Sequence, residues 1–297
     1  MTISQALRNT NLIFLIFIAL GFLVPGFAGD LKILLIPALI TMMSFSLMNL
    51  RLKDLKFDHL KSALLLAGIN SIILSAIYIA IAYLFIDFAL YRDAVIILGL
   101  MPPAVGVISL IFILDADMNV GFIALIISYI LSLFIIPIFT HMFFGETATI
   151  MKLIRIIALV ILAPFLISRF FIYINSKVHL IKEETTEIVV NLCYGLLFYI
   201  SIGVNIDVFL GNISGIIPLI LIFLFLRFGM AFIIYFITRK SNQPDLNKLL
   251  ILFGSYKNFS AGMAITVLLF GIKATVPYAV FSIIASFYIV FTKWFLS

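Results

Sequence analysis

Charge is what this sequence has least of. Asp, Glu, Lys and Arg together make up 11% of its 297 residues, against 65% hydrophobic residues and a mean hydropathy of +1.31. No soluble fold could hide that much apolar surface, so the composition predicts an integral membrane protein embedded in a lipid bilayer. Cysteine is nearly absent: Cys193 stands alone, which excludes an intrachain disulfide. Three scattered histidines, His59, His141 and His179, fall near the ends of apolar runs and make no ligand cluster, so neither a metal nor a cofactor is expected. Catalytic motifs are missing as well. There is no His-Glu-x-x-His, no Gly-x-Gly-Asp, no Ser/His pair at mid-membrane depth and no carboxylate near the middle of a span. Acid/base chemistry lacks its parts, and an enzyme is not expected. The net charge of +6 would suggest anionic partners in a soluble protein. Here loops flanking the membrane account for most of it, and no nucleic-acid partner is expected.

What is present is a series of apolar runs, each long enough to cross a bilayer. Bounded by charges, they predict ten helices at about 11–28, 32–50, 60–86, 92–114, 119–144, 152–174, 188–210, 213–238, 246–270 and 275–295. The first run lacks a cationic leader and a small-residue cleavage site, so it reads as a retained helix rather than a signal peptide. The stretch from Arg51 to Lys61 is the most basic loop. Counting from it, 12 Lys and Arg fall on one side of the membrane and 5 on the other, which predicts a plasma-membrane protein with both termini cytoplasmic. Arg227 and Lys257 complete the 19 and lie inside spans.

The fourth and ninth spans are abnormal. Leu100 to Gly106 puts Pro102, Pro103 and a glycine in the middle of the fourth, and proline removes a backbone donor and breaks a helix. In the ninth, Gly254-Ser255-Tyr256-Lys257-Asn258 interrupts an apolar run from Leu246 to Phe270. An interrupted helix survives in hydrocarbon only where its freed backbone is buried in protein or lines a wet cavity, and a lysine there is costly. The two breaks hold the same place in two five-span halves, 1–147 and 148–297. Five is odd, so the halves enter from opposite sides. Paired broken helices in inverted repeats point to a midplane binding site in a secondary transporter.

The Pro102-Pro103-Ala104 break, Asp117 beyond it, the approach from Lys248 to Asn258 and the 156-residue interval from Pro102 to Asn258 resemble the bile acid:sodium symporter family. More distantly, Met101 to Val105 is similar to the auxin efflux carriers. The resemblance implies an all-α fold of ten spans whose broken fourth and ninth helices cross between a panel and a core. It also implies two sodium sites, and here the sequence departs from it. Where the family carries a Ser-Asn pair after the first break, this chain has Val107-Ile108. Where the ninth helix should supply Glu and Gln, it has Phe253 and Lys257. Hydroxyls expected early in the fifth helix fall on Gly121 and Leu125, a third-helix glutamine falls on Asn70, and the His-Asn pair of the last span falls on Ala285-Ser286. A hard cation wants oxygen ligands, which these apolar side chains do not supply.

Lys257 makes sense of that loss. Its ammonium is expected to sit between half-helix ends whose carbonyls hold positive charge, a tethered cation in place of a diffusible one. The expected function is alternating-access carriage of a small organic anion without sodium, the anion favoured by Lys257 and by Arg227 as a second contact. Burial favours the neutral form of a lysine, so a proton is a physically possible coupling ion, with Lys257 either exchanging it or only pinning the crossover. Pro102, Pro103, Ser255, Lys257, Asn258 and Asn70 are the expected crossover and substrate residues; Asn191 and Ser286 are additional polar candidates, with Asn205 and Asp207 on the same span as Asn191. The alternatives are a sodium-coupled organic-anion symporter, and a channel or non-transporting sensor on the same fold.

Overall fold

The structure, a computed structural model, describes residues 2–48, 59–178, 181–211 and 213–296. Residues 51–58 of the basic loop and His179 lie outside the described residues. What is described is helical, with no strand among the described residues. A short helix α1 (Ile3–Arg8) precedes α2 (Thr10–Leu23), α3 (Pro25–Met48), α4 (Leu60–Phe85), α5 (Ala89–Leu100), α6 (Val107–Ile113) and α7 (Met118–Phe144). The second half contains α8 (Ile150–Val178), α9 (Glu183–Val204), α10 (Gly215–Thr238), α11 (Pro244–Phe253), α12 (Phe259–Phe270) and α13 (Val276–Leu296). Six of these, α3, α4, α7, α8, α9 and α10, are long and apolar enough to cross a membrane. Large apolar side chains such as Ile72, Leu84, Phe134, Leu166 and Ile237 point outward, as befits an all-α membrane protein whose solvent on that face is lipid.

The first two spans meet elsewhere than their charges suggest. The expected boundary was Asp30 to Lys32, but the chain turns at Val24 (φ −133°, ψ 57°), and Pro25 opens the next helix. Proline is suited to a first helical turn, where its missing N–H would have had no partner, so it outweighs two charges that helices tolerate near their ends.

Helices α2 and α3 lie against α9, and α3 also lies against α8. Elsewhere α4 lies against α7 and α5, α5 against α12, α10 against α13 and α11 against α10, and one apolar core runs from Phe14 and Leu39 to Tyr78 and Phe281. Close approach of α4 and α5 depends on Gly99, where an added Cβ would stand 2.5 Å from the Tyr78 Cβ.

Both expected interruptions are present, with different causes. Helix α5 stops at Leu100 because Pro102 drives Met101 to extended geometry (φ −71°, ψ 149°). No proline breaks the other. Helix α11 ends on Gly254, and α12 starts afresh at Phe259 with Asn258 as its N-cap. Three π-helical turns went unforeseen: Ile69–Leu74 in α4, Ala158–Leu162 in α8 and Phe225–Gly229 in α10. Pro164 accounts for the second, since it cannot donate to the carbonyl of Val160 four residues back. The other two contain no proline, and each carries a polar side chain bonded to the crossover.

Candidate functional site

The two broken helices touch. The Asn258 backbone N–H donates to the Pro102 carbonyl at 2.8 Å, so Pro102 contributes the one polar group a proline has. Pro103 is buried beside it. The Asn258 side chain is committed to the crossover: Oδ1 accepts from the Ala261 N–H at 3.1 Å and the Ser260 hydroxyl at 2.8 Å, and Nδ2 donates to the Tyr129 hydroxyl at 3.0 Å. It is a buried helix cap.

Asn70, on the first π-helical turn, clamps the other side. Its Nδ2 donates to the carbonyls of Phe253 (2.7 Å) and Tyr256 (2.9 Å), two of the groups freed where α11 ends. Lys257 answers from the crossover. It is 0% exposed, and its Nζ donates to the Asn70 carbonyl (2.8 Å), the Ser75 hydroxyl (3.0 Å) and Asn70 Oδ1 (3.2 Å). Ser75 donates in turn to the Gly99 carbonyl at 2.6 Å, near the end of α5. Three donors thus meet three acceptors, as a buried ammonium requires. The expectation that it would sit between half-helix ends is corrected. Its partners are Asn70, on the π-helical turn of α4, and Ser75, just after that turn, while Asn70 holds two carbonyls that α11 leaves free.

Arg227, on the third π-helical turn, is 2% exposed and bonds the Ser255 carbonyl of the same stretch at 2.8 Å through a terminal guanidinium nitrogen. Its charge lies 3.8 Å from the ring centroid of Tyr256, 4.2 Å from that of Tyr288 and 5.4 Å from that of Phe281. Such contacts reach about 2 kcal/mol each when desolvated, against a penalty of several kcal/mol for burying the ion. Its Nε has no partner among the described residues. Ser255 itself donates to the Ile251 carbonyl at 2.6 Å and meets the Tyr288 hydroxyl at 2.5 Å. Arg227 is therefore not in the open as a direct anion contact, and stands behind Tyr256.

A cavity of about 370 Å³ opens beside this network. Arg8 to Asn11 line one side, and Gly106, Ser109, Leu110 and Ile113 on α6 and just before it line the other. The size suits a small organic molecule. A Cβ at Gly106 would lie 3.6 Å from the Tyr256 hydroxyl, which sets that half-buried tyrosine next to a residue of the cavity wall. Asn191 bonds the N-terminal segment rather than the crossover. It holds the cavity's other wall, its Nδ2 donating to the carbonyls of Leu7 (3.1 Å) and Arg8 (3.0 Å) and its Oδ1 accepting from the Thr10 hydroxyl (2.9 Å). Arg8 in turn bonds Glu184 at 3.0 Å and Glu187 at 2.6 Å. Asn205 is buried on the Ser201 carbonyl (2.8 Å) and the Thr275 hydroxyl (3.0 Å), and Asp207 is exposed. The Ser286 side chain lies outside the described residues.

A second cavity, of about 310 Å³, is lined by His59, Ser62, Asp117, Gln243 and Asp245 among others. Asp117 is occupied there as the N-cap of α7, accepting from the Asn119 and Val120 N–H groups. No group of metal ligands occurs among the described residues.

Sequence reasoning missed Ser75, Tyr129, Tyr256 and Tyr288. Tyr256 was named only as part of the ninth-span break, and Tyr129 and Tyr288 not at all. The available signal was depth, since Tyr129 and Tyr288 stand well inside apolar runs, where a hydroxyl needs a partner. Among known proteins, no family model and no curated sequence matches this chain.

Proposed function

We propose that this protein is a secondary transporter of a small organic anion that works without sodium. It is read as ten spans in two inverted five-helix halves, 1–147 and 148–297, on the plan that the bile acid:sodium symporter family resembles. Two spacings support the repeat. The π-helical turns beginning at Ile69 and Phe225 are 156 residues apart, the same interval that separates Pro102 from Asn258. Each half then carries a π-helical turn ahead of its broken helix, the second half having a further one at Ala158–Leu162, and the broken helices meet near a cavity of ligand size.

The observation that carries sodium independence is the occupancy of the crossover's oxygens. Phe253 and Tyr256 carbonyls accept from Asn70, the Ser255 carbonyl accepts from Arg227, and the Asn70 carbonyl accepts from Lys257. A diffusible cation would find these oxygens already taken by tethered donors. Lys257 is read as a permanent pin rather than a proton carrier, because it has no exposure and its ammonium is bonded in three directions.

Reconstituted vesicles test this directly. Uptake of labelled carboxylates is expected to saturate, and to keep its rate when external sodium is replaced by choline. A rate that collapses without sodium would mean that oxygens elsewhere bind the ion, and the reading would be withdrawn.

A further inference from the structure

Every charged side chain buried among the described residues is a cation: Arg227 and Lys257. Aspartates and glutamates are absent from that interior, and the carboxylates nearest the cavity, Glu184 and Glu187, are already engaged by Arg8 at its mouth. Arginine does not lose its proton in proteins. The aromatic rings around Arg227 soften its burial but carry no net charge, and its Nε has no partner among the described residues. The ring of Tyr256 lies against the Arg227 guanidinium, and its hydroxyl stands next to Gly106, a residue of the cavity wall. An anion in the cavity lies within the field of this fixed charge in a low-dielectric surround, where screening is weak.

We propose that the protein is an obligatory anion exchanger, in which the transported anion supplies the counter-charge that Arg227 lacks. With the cavity occupied, the crossover's positive charge is balanced and the helices can change access. With it empty, the same movement carries uncompensated charge through hydrocarbon, which is costly. The empty protein therefore waits for a second anion, and net flux is slow relative to exchange. This inference rests on the reading of the chain as an anion carrier.

The test compares uptake of labelled pyruvate, succinate and benzoate into reconstituted vesicles that either contain the same unlabelled anion or lack it. Uptake of a carried anion is expected to be faster by about tenfold or more into the loaded vesicles, since a shift of that size needs only a modest difference between loaded and empty states. Arg227→Gln, which keeps a donor for Ser255 without the charge, is expected to bring the ratio near one, and Arg227→Lys to preserve it. Equal uptake into loaded and empty vesicles by the wild type overturns the exchange proposal and leaves the carrier reading standing. A ratio unchanged in Arg227→Gln overturns the assignment to Arg227. If no anion moves in either mode, the carrier reading fails and exchange fails with it. Should Arg227→Gln not reconstitute, the wild-type ratio decides alone.

Discussion

Lys257 and Arg227 tie the break between α11 and α12 to two different helices, from opposite directions. Lys257 leaves the crossover to bond a carbonyl on the π-helical turn of α4, whereas Arg227 leaves the π-helical turn of α10 to bond a carbonyl of the crossover. In each case a buried cation finds a backbone dipole in place of a carboxylate, which keeps the interior free of acidic groups. Removing either charge relieves its desolvation but strands acceptors, and at Lys257 the stranded acceptors are three. Lys257→Ala is expected to cost about 2–4 kcal/mol, from lost hydrogen bonds plus the hole left by the stem. Thermal unfolding in detergent measures it; an unchanged or raised midpoint would mean that Lys257 is not a pin. Tyr129→Phe deletes one hydrogen bond to Asn258 and keeps the ring, so about 1 kcal/mol is expected in the same assay.

The two interrupted helices reach the same shape by different chemistry, and they respond differently to substitution. The break after α5 is built into the chain by Pro102 and Pro103. The break after α11 is held by tertiary contacts around Gly254 and Asn258, and so is the more fragile. A Cβ at Gly254 would stand 2.8 Å from the Leu250 carbonyl and run into the Ile234 side chain of α10. Gly254→Ala is accordingly expected to destabilise by about 1–3 kcal/mol, and the added change Ile234→Ala to recover part of it, a non-additivity read from thermal midpoints of the single and double variants. Gly106 is the contrasting position. A Cβ there meets only the Tyr256 hydroxyl at an ordinary 3.6 Å, so Gly106→Ala is expected to fold within about 0.5 kcal/mol of wild type. Gly106→Leu, which pushes a branched side chain into the cavity, is expected to fold and to lose uptake.

For the molecule as a whole, the cavity opens beside the N-terminal residues, and the distribution of Lys and Arg predicts that this end is cytoplasmic. Ser109 is exposed on the cavity wall and Cys193 is the single native thiol, so Ser109→Cys in a Cys193→Ala background gives a clean reporter. An impermeant maleimide is expected to label it in inside-out vesicles and to leave it unlabelled in sealed right-side-out cells; the reverse pattern would invert the topology. Membrane residence, the helical class and the places where two helices break were legible from the chain because they follow from local chemistry. Apolar runs must span the bilayer, and Pro102 cannot donate a hydrogen bond wherever it is put. The partners of Asn70, Lys257 and Arg227 were not legible, nor were the π-helical turns that carry Asn70 and Arg227 or the tyrosines Tyr129, Tyr256 and Tyr288. Those features depend on which helices meet. Lys257 and Ser75 are 182 residues apart, and only packing decides which carbonyl a buried donor will find.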